Sequence, residues 1–181
     1  MGLVGLPNAG KSTLLSRCSR ARPKIAAYPF TTLNPYLGIV EMAEAGRFVM
    51  ADSPGLIEGA SRGKGLGHQF LRHVERTRLL LHLIDVSEGD PEKLKQDHDV
   101  IVNELAAFSP DLAAKQRVLV ANKADIPGAA ENAEALGKLL GLPVLLISGV
   151  TGQGMKELLW ALWHRLQELR RPPAAPAGED E

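Results

Sequence analysis

Leu3-Val4-Gly5-Leu6-Pro7-Asn8-Ala9-Gly10-Lys11-Ser12-Thr13 decides the fold. Leu3-Val4 reads as the end of a strand, stopped by Gly5, and Lys11 to Ser19 carries a helical pattern. Between them stands Gly-x4-Gly-Lys-Ser, a turn in which Gly5 and Gly10 let backbone N–H groups close around a phosphate chain. The helix opening near Lys11 adds the positive end of its dipole. Lys11 reaches the terminal phosphates as a point charge, and Ser12 offers its hydroxyl to Mg2+.

Strands and helices alternate outward from this unit. Tyr36 to Met42 and Arg47 to Asp52 read as strands joined at Ala43-Glu44-Ala45-Gly46. Leu79 to Val86, Val118 to Ala121 and Pro143 to Ile147 are further strands. Gln69 to Arg78, Pro91 to Phe108, Ala129 to Leu140 and Gly154 to Leu169 read as helices. Ala21 to Pro35, with three prolines, and Ser53 to Gly67, with five glycines, are expected to be mobile loops. The pattern predicts an α/β fold: a mostly parallel six-stranded sheet with one antiparallel edge strand and helices on both faces. Ligands on such sheets bind beyond the carboxyl ends of the strands. Residues 1–170 are expected to form one domain, and Pro172 to Glu181 a disordered tail or linker.

Asn122-Lys123-Ala124-Asp125 follows one of these strands. Guanine presents two neighbouring donors, N1–H and the 2-amino group, and one carboxylate accepts both, so Asp125 selects guanine. Adenine lacks both donors and would leave the charge unpaired. Lys123 lies over the base with its alkyl stem, and Asn122 ties this loop to the phosphate loop. Ser148-Gly149-Val150 follows the last strand; a backbone N–H there can meet the guanine carbonyl, and a plain turn is an equal reading.

Asp52-Ser53-Pro54-Gly55 ends another strand. Asp52 there can hold Mg2+ through water, and the Gly55 N–H can bond the γ-phosphate. Phe30-Thr31-Thr32 lies in the first mobile loop. A threonine there completes the Mg2+ shell only when the third phosphate is present, which makes a switch.

Composition limits the alternatives. The chain has 181 residues, 45% hydrophobic and 23% charged, with 21 basic and 21 acidic side chains. That balance exerts no global pull on nucleic acid or an anionic membrane. One cysteine, Cys18, allows no internal disulfide and no zinc cluster. No apolar run approaches the roughly 20 residues of a membrane span.

Val4 to Ser12, Tyr28-Pro29-Phe30-Thr31-Thr32-Leu33, Asp52 to Ala60, Gly65-Leu66-Gly67 and Phe70 to Arg76 together resemble the Obg GTPases, over residues 2 to 165. The resemblance implies a Ras-like P-loop domain that slowly hydrolyses GTP to GDP with Mg2+. It also implies work on large ribosomal subunit assembly in the cytoplasm, with the subunit or its rRNA as partner and no membrane. A monomer is expected. Thr32 takes the position of the switch threonine, beside Thr31. The sequence departs from the family pattern at Ala27, where an acid is usual, at Ser53, where Ile is common, and at Gly149, where Ala is usual. The family's flanking domains are missing, so the chain reads as an excised G domain with a truncated first strand.

Many GTPases carry a glutamine directly after Asp-x-x-Gly; here Leu56 stands there. In GTPases resembling this one, an asparagine at the place of Asn8 helps bind K+, which supplies positive charge near the bridging oxygen. The candidate catalytic residues are therefore Asn8, Lys11, Thr32 and Gly55. The metal set is Ser12, Thr32 and Asp52. The nucleotide set is Gly5, Pro7, Asn8, Ala9, Gly10, Lys11, Ser12, Thr13, Phe30, Thr31, Asp52, Gly55, Asn122, Lys123, Asp125, Ser148, Gly149 and Val150. Glu58, His68 and Gln69 are weighed as water-positioning groups against plain surface residues. Arg62 and Lys64, and the helix face of Arg72, His73, Arg76 and Arg78, are weighed as partner contacts against solvated charge. His82 reads as a core histidine, Trp160 and Trp163 as packing, and Cys18 as inert. The competing functions are a nucleotide-dependent binding module with negligible hydrolysis, and a P-loop ATPase or kinase.

Overall fold

The computed structural model describes residues 1–20, 23–25, 36–43, 45–52 and 66–170, without the side chains of 66–70. The positions 27–33, 53–60, 62, 64 and 171–181 lie outside the described residues. The readings placed on Phe30, Thr31, Thr32, Gly55, Leu56, Glu58, Arg62, Lys64 and the tail fall there.

Seven strands form one sheet in the order β2-β3-β4-β1-β5-β6-β7. They are β1 (Gly2–Val4), β2 (Lys24–Ile25), β3 (Tyr36–Met42), β4 (Gly46–Asp52), β5 (Leu80–Asp85), β6 (Arg117–Asn122) and β7 (Val144–Leu146). The expected six strands become seven because Lys24-Ile25 pairs with Leu37-Tyr36 on the outside of the hairpin. Two residues between prolines give no local strand pattern, so only the partner strand reveals them. β3 is antiparallel to both of its neighbours, and the remaining pairs are parallel.

The helices are α1 (Lys11–Cys18), α2 (Leu66–Glu75), α3 (Pro91–Phe108), α4 (Pro110–Ala114), α5 (Ala129–Leu140) and α6 (Met155–Glu168). α3 starts where Asp90 accepts from the Lys93 N–H and Pro91 fills the first turn. Ser109 ends α3 and caps the short α4, a stretch to which the sequence pattern assigns no element. α2 begins three residues before the expected Gln69, inside the glycine-rich stretch. Gly141, at φ 65°, closes α5 in the left-handed conformation.

β5 is buried on both faces, which is why Leu80 to Ile84 is nearly all apolar. On one face α1 and α6 bring Leu14, Leu15, Leu158, Leu162 and Leu166 onto Leu3, Leu81 and Leu83. On the other, α2, α3 and α4 pack Leu71, Val74, Ile101, Leu105 and Leu112 onto Val4 and Leu80. α3 and α5 pack Leu94, Ala133 and Leu136 onto Ile84 and Leu119. Each fully buried leucine contributes about 1.5–3 kcal/mol of transfer free energy. This double-sided core fixes the carboxyl ends of β1, β4, β6 and β7 along one edge.

Candidate functional site

The phosphate loop leaves β1 at Gly5 and enters α1 at Lys11. Its glycines are required by shape. A Cβ on Gly5 would stand 2.4 Å from the Leu83 carbonyl oxygen, and one on Gly10 would stand 2.2 Å from Asn122 Nδ2. Gly10 also sits at φ 95°, and Asn8 takes φ 65°, a region asparagine tolerates better than most residues. Lys11 Nζ donates to the carbonyls of Gly5 and Leu6, each at 2.9 Å. Burial lowers its pKa, and Asp52 pulls in the opposite direction. A half-buried ammonium whose hydrogen bonds go to neutral carbonyls can exchange them for an anion's oxygens.

Asp52 ends β4 and is buried. Its Oδ2 accepts from Ser12 Oγ at 2.8 Å, while its Oδ1 has no hydrogen-bond partner among the described residues. A buried, unpartnered carboxylate oxygen beside a hydroxyl is an all-oxygen donor pair of the kind Mg2+ takes. The residues therefore fit the ion, which Ser12 and Asp52 would hold. A hollow of about 730 Å³ lined by Ser12, Leu15, Ser16, Tyr36 and Asp52 opens beside them.

The base end is assembled from three loops. Asn122 is buried; its Nδ2 donates to the Ala9 carbonyl at 2.9 Å and its Oδ1 accepts from the Gly149 N–H at 3.0 Å. One side chain thus joins the phosphate loop, β6 and the turn after β7, as expected of Asn122. Asp125 Oδ1 accepts from Ser148 Oγ at 2.5 Å, which in turn accepts from the Thr151 N–H at 2.9 Å. Ser148-Gly149-Val150 is both a turn, closed by Gly152 N–H to the Ser148 carbonyl at 2.9 Å, and a neighbour of Asp125. The turn reading is what the structure shows, and it places these residues beside Asp125.

Lys123 is at φ 75°, and its Nζ pairs with Asp85 at the end of β5. Burial pushes the Asp85 carboxyl up, but hydrogen bonds from Lys123 and Ser87 outweigh it and hold the group below the usual range. Sequence reasoning missed Asp85. It also missed Arg17, whose Nε donates to the Gly149 carbonyl at 2.6 Å across 132 residues of chain. No local signal marks either contact.

Of the residues weighed more lightly, His82 is buried in β5 and stacks on His98 at 5.1 Å between ring centres. Burial pushes the Cys18 thiol up to about 12, which makes it inert near neutral pH. Trp163 packs on Phe48 with ring centres 6.4 Å apart, and Trp160 is 42% exposed.

Residues 1–123 match the model of the family described as 50S ribosome-binding GTPase. GTPase Obg of Desulforudis audaxviator is 52% identical over 184 residues, and GTPase Obg of Symbiobacterium thermophilum is 53% identical over 184 residues. These alignments cover 100% and 99% of this chain but 43% of each relative, so the chain spans less than half the length of the curated relatives it matches. The G domain of the T. maritima FeoB iron transporter superposes with a TM-score of 0.68 at 21% identity, covering 94% of this chain and 97% of that one. That likeness speaks to the fold alone. Aquifex aeolicus Era, bound to GDP.AlF4-, gives 0.65 at 26% identity over 98% of this chain and 57% of that one. With the family matched over residues 1–123 and about half of all positions shared with Obg relatives, the chain belongs to the 50S ribosome-binding GTPase family, on its Obg branch.

Proposed function

We propose that this chain binds GTP and GDP with Mg2+ and hydrolyses GTP slowly, as a switch in large ribosomal subunit assembly in the cytoplasm. The observation that carries the reading is the pair of hydrogen bonds made by Asn122, which sets the phosphate loop and the Asp125 loop at a fixed separation. A ligand spanning both must carry phosphates at one end and a base with adjacent donors at the other. When bound, Mg2+ offsets charge on the phosphates; Ser12 and Asp52 hold it. Lys11 Nζ would exchange the Gly5 and Leu6 carbonyls for phosphate oxygens, the Gly55 N–H would bond the third phosphate, and Thr32 would complete the Mg2+ shell once that phosphate is present.

Hydrolysis without a glutamine rests on Asn8. Its left-handed backbone is one reason for asparagine, and its Oδ1 as a K+ ligand is the other. Asn8→Gly keeps the backbone and removes the oxygen. GTP turnover is expected to be several-fold faster in KCl than in matched NaCl for the native chain, and equal in both for Asn8→Gly with GDP affinity retained. Equal native rates in the two salts would sink the K+ role. No detectable turnover in single-turnover assays with K+ would leave the binding-module reading in its place. Competition by ATP as strong as by GTP would favour the ATPase reading.

For the ribosomal partner, Arg76, Arg78 and Arg170 line a concavity of about 590 Å³ in which no described lining residue is acidic. Arginine forks suit RNA phosphates. GTP-dependent cosedimentation with large-subunit particles, weakened by substituting these arginines with alanine, is the expected result.

No helix among the described residues is long and apolar enough to cross a membrane.

A further inference from the structure

We infer that Arg17 is a positioning residue for guanine recognition, holding the Ser148–Gly152 turn so that its backbone N–H meets the base carbonyl. This rests on the reading of Asn122 to Asp125 and Ser148 to Val150 as the base site. Arg17 lies on α1, little more than one turn past Ser12. Its Nε donates to the Gly149 carbonyl at 2.6 Å, and its Nη2 donates to the carbonyl of Val150. One guanidinium fork therefore grips two consecutive peptide units.

The consequence follows from peptide planarity. In a trans peptide the carbonyl of one residue and the N–H of the next point in opposite directions. Anchoring the Gly149 carbonyl on Arg17 turns the Val150 N–H away from α1. The other donors of the turn are engaged: Gly149 N–H on Asn122 Oδ1, Thr151 N–H on Ser148 Oγ, and Gly152 N–H on the Ser148 carbonyl. Among the described residues the Val150 N–H has no hydrogen-bond partner. The clamp thus aims the one open donor of the turn.

Gly152 makes room for the clamp. It sits at φ 92°, and a Cβ there would come within 3.1 Å of Arg17 Nη1. The same helix that presents Lys11 and Ser12 to the phosphates therefore braces the base turn from behind, while Asn122 braces it from the front. A lysine could reach one carbonyl as a point charge but could not fork across two.

Three diphosphates separate this role from plain support of the fold. 6-Thio-GDP keeps both donors that Asp125 reads and replaces the carbonyl oxygen by sulfur, a poor acceptor. IDP keeps the carbonyl and lacks the 2-amino group. Equilibrium affinities for GDP, 6-thio-GDP and IDP are to be measured on the native chain, Arg17→Ala, Arg17→Lys and Asp125→Ala. Arg17→Ala is expected to weaken GDP about tenfold, the effect of misplacing one hydrogen bond to the base carbonyl. It should narrow the preference for GDP over 6-thio-GDP and leave the preference for GDP over IDP at its native value. Arg17→Lys should fall between. Equal losses for GDP and 6-thio-GDP in both Arg17 variants, with Asp125→Ala abolishing the preference over IDP, overturn the Arg17 role alone. If Asp125→Ala leaves that preference intact, the base-site reading fails and this inference with it.

Discussion

The two ends of the site are finished to different degrees. At the base end the buried polar groups are paired: Asn122 bridges Ala9 and Gly149, and Ser148 bridges Asp125 and Thr151. At the phosphate end, among the described residues, Asp52 Oδ1 is buried without a partner, and so are both ring nitrogens of His82, which pairs in register with Val4 just before the loop. A buried polar group left unpaired costs about 1–3 kcal/mol. The base end is thus preassembled, whereas the phosphate end carries a local cost that a ligand can relieve. Asp52 is placed for such relief beside Ser12, whereas His82 stacks on His98 of α3.

The His82 half of that contrast has the largest expected effect. Burial, with smaller contributions from His98 and Arg117, pushes its pKa down from 6.5 to about 3. Between these two values the unfolded chain binds a proton that the folded chain refuses, so stability rises with pH across the window and is lost as pH falls through it. The loss between pH 6.5 and pH 3 is roughly 5 kcal/mol at 1.36 kcal/mol per pKa unit. Urea midpoints measured from pH 7.5 downward should fall steadily below pH 6.5, and His82→Leu should flatten the decline. Saturating Mg2+ and GDP should raise every midpoint without changing that slope. A slope abolished by the ligand would mean that His82 belongs to the ligand-relieved group after all.

Asn122 tests the other half. Asn122→Ala orphans the Ala9 carbonyl and the Gly149 N–H, both buried, and should cost about 2–4 kcal/mol in the nucleotide-free chain. Asn122→Asp keeps an acceptor for Gly149 but loses the donor to Ala9, so it should be intermediate in stability. Denaturant midpoints check both. Near-native stability for Asn122→Ala would show that the base end is held by Arg17 and Ser148 instead.

This contrast also explains what was legible in the sequence. Gly5, Gly10, Lys11 and Asn122 could be placed because their roles are set by backbone shape and by close neighbours in a short motif. Leu79 to Val86 could be read as a buried strand because, His82 and Asp85 apart, it is apolar on both alternating faces. Lys24-Ile25 could not, since two residues become a strand only through Leu37 and Tyr36. Pro110 to Ala114 could not be read either, since five residues are too few for a helical period. Arg17 and Asp85 are the larger omission. Each acts through one contact with a distant loop, and a single long-range hydrogen bond leaves no periodicity behind.

The smallest expected effect is at Gly149, the position where the family usually carries alanine. A Cβ there would meet Asn122 Oδ1 and Thr13 Cγ2 at 3.6 Å, which is ordinary contact distance. Glycine is therefore not required by space, and its backbone is not among the positive-φ glycines. Alanine would restrict the unfolded chain without straining the folded one, which stabilises by about 0.4–1 kcal/mol. Gly149→Ala should raise the urea midpoint slightly and leave GDP affinity within about twofold, because the Gly149 N–H keeps its bond to Asn122. A larger gain in affinity would mean that the turn still moves in the native chain. The base end would then be less finished than its hydrogen bonds imply, and part of its order would come from the ligand, as at the phosphate end.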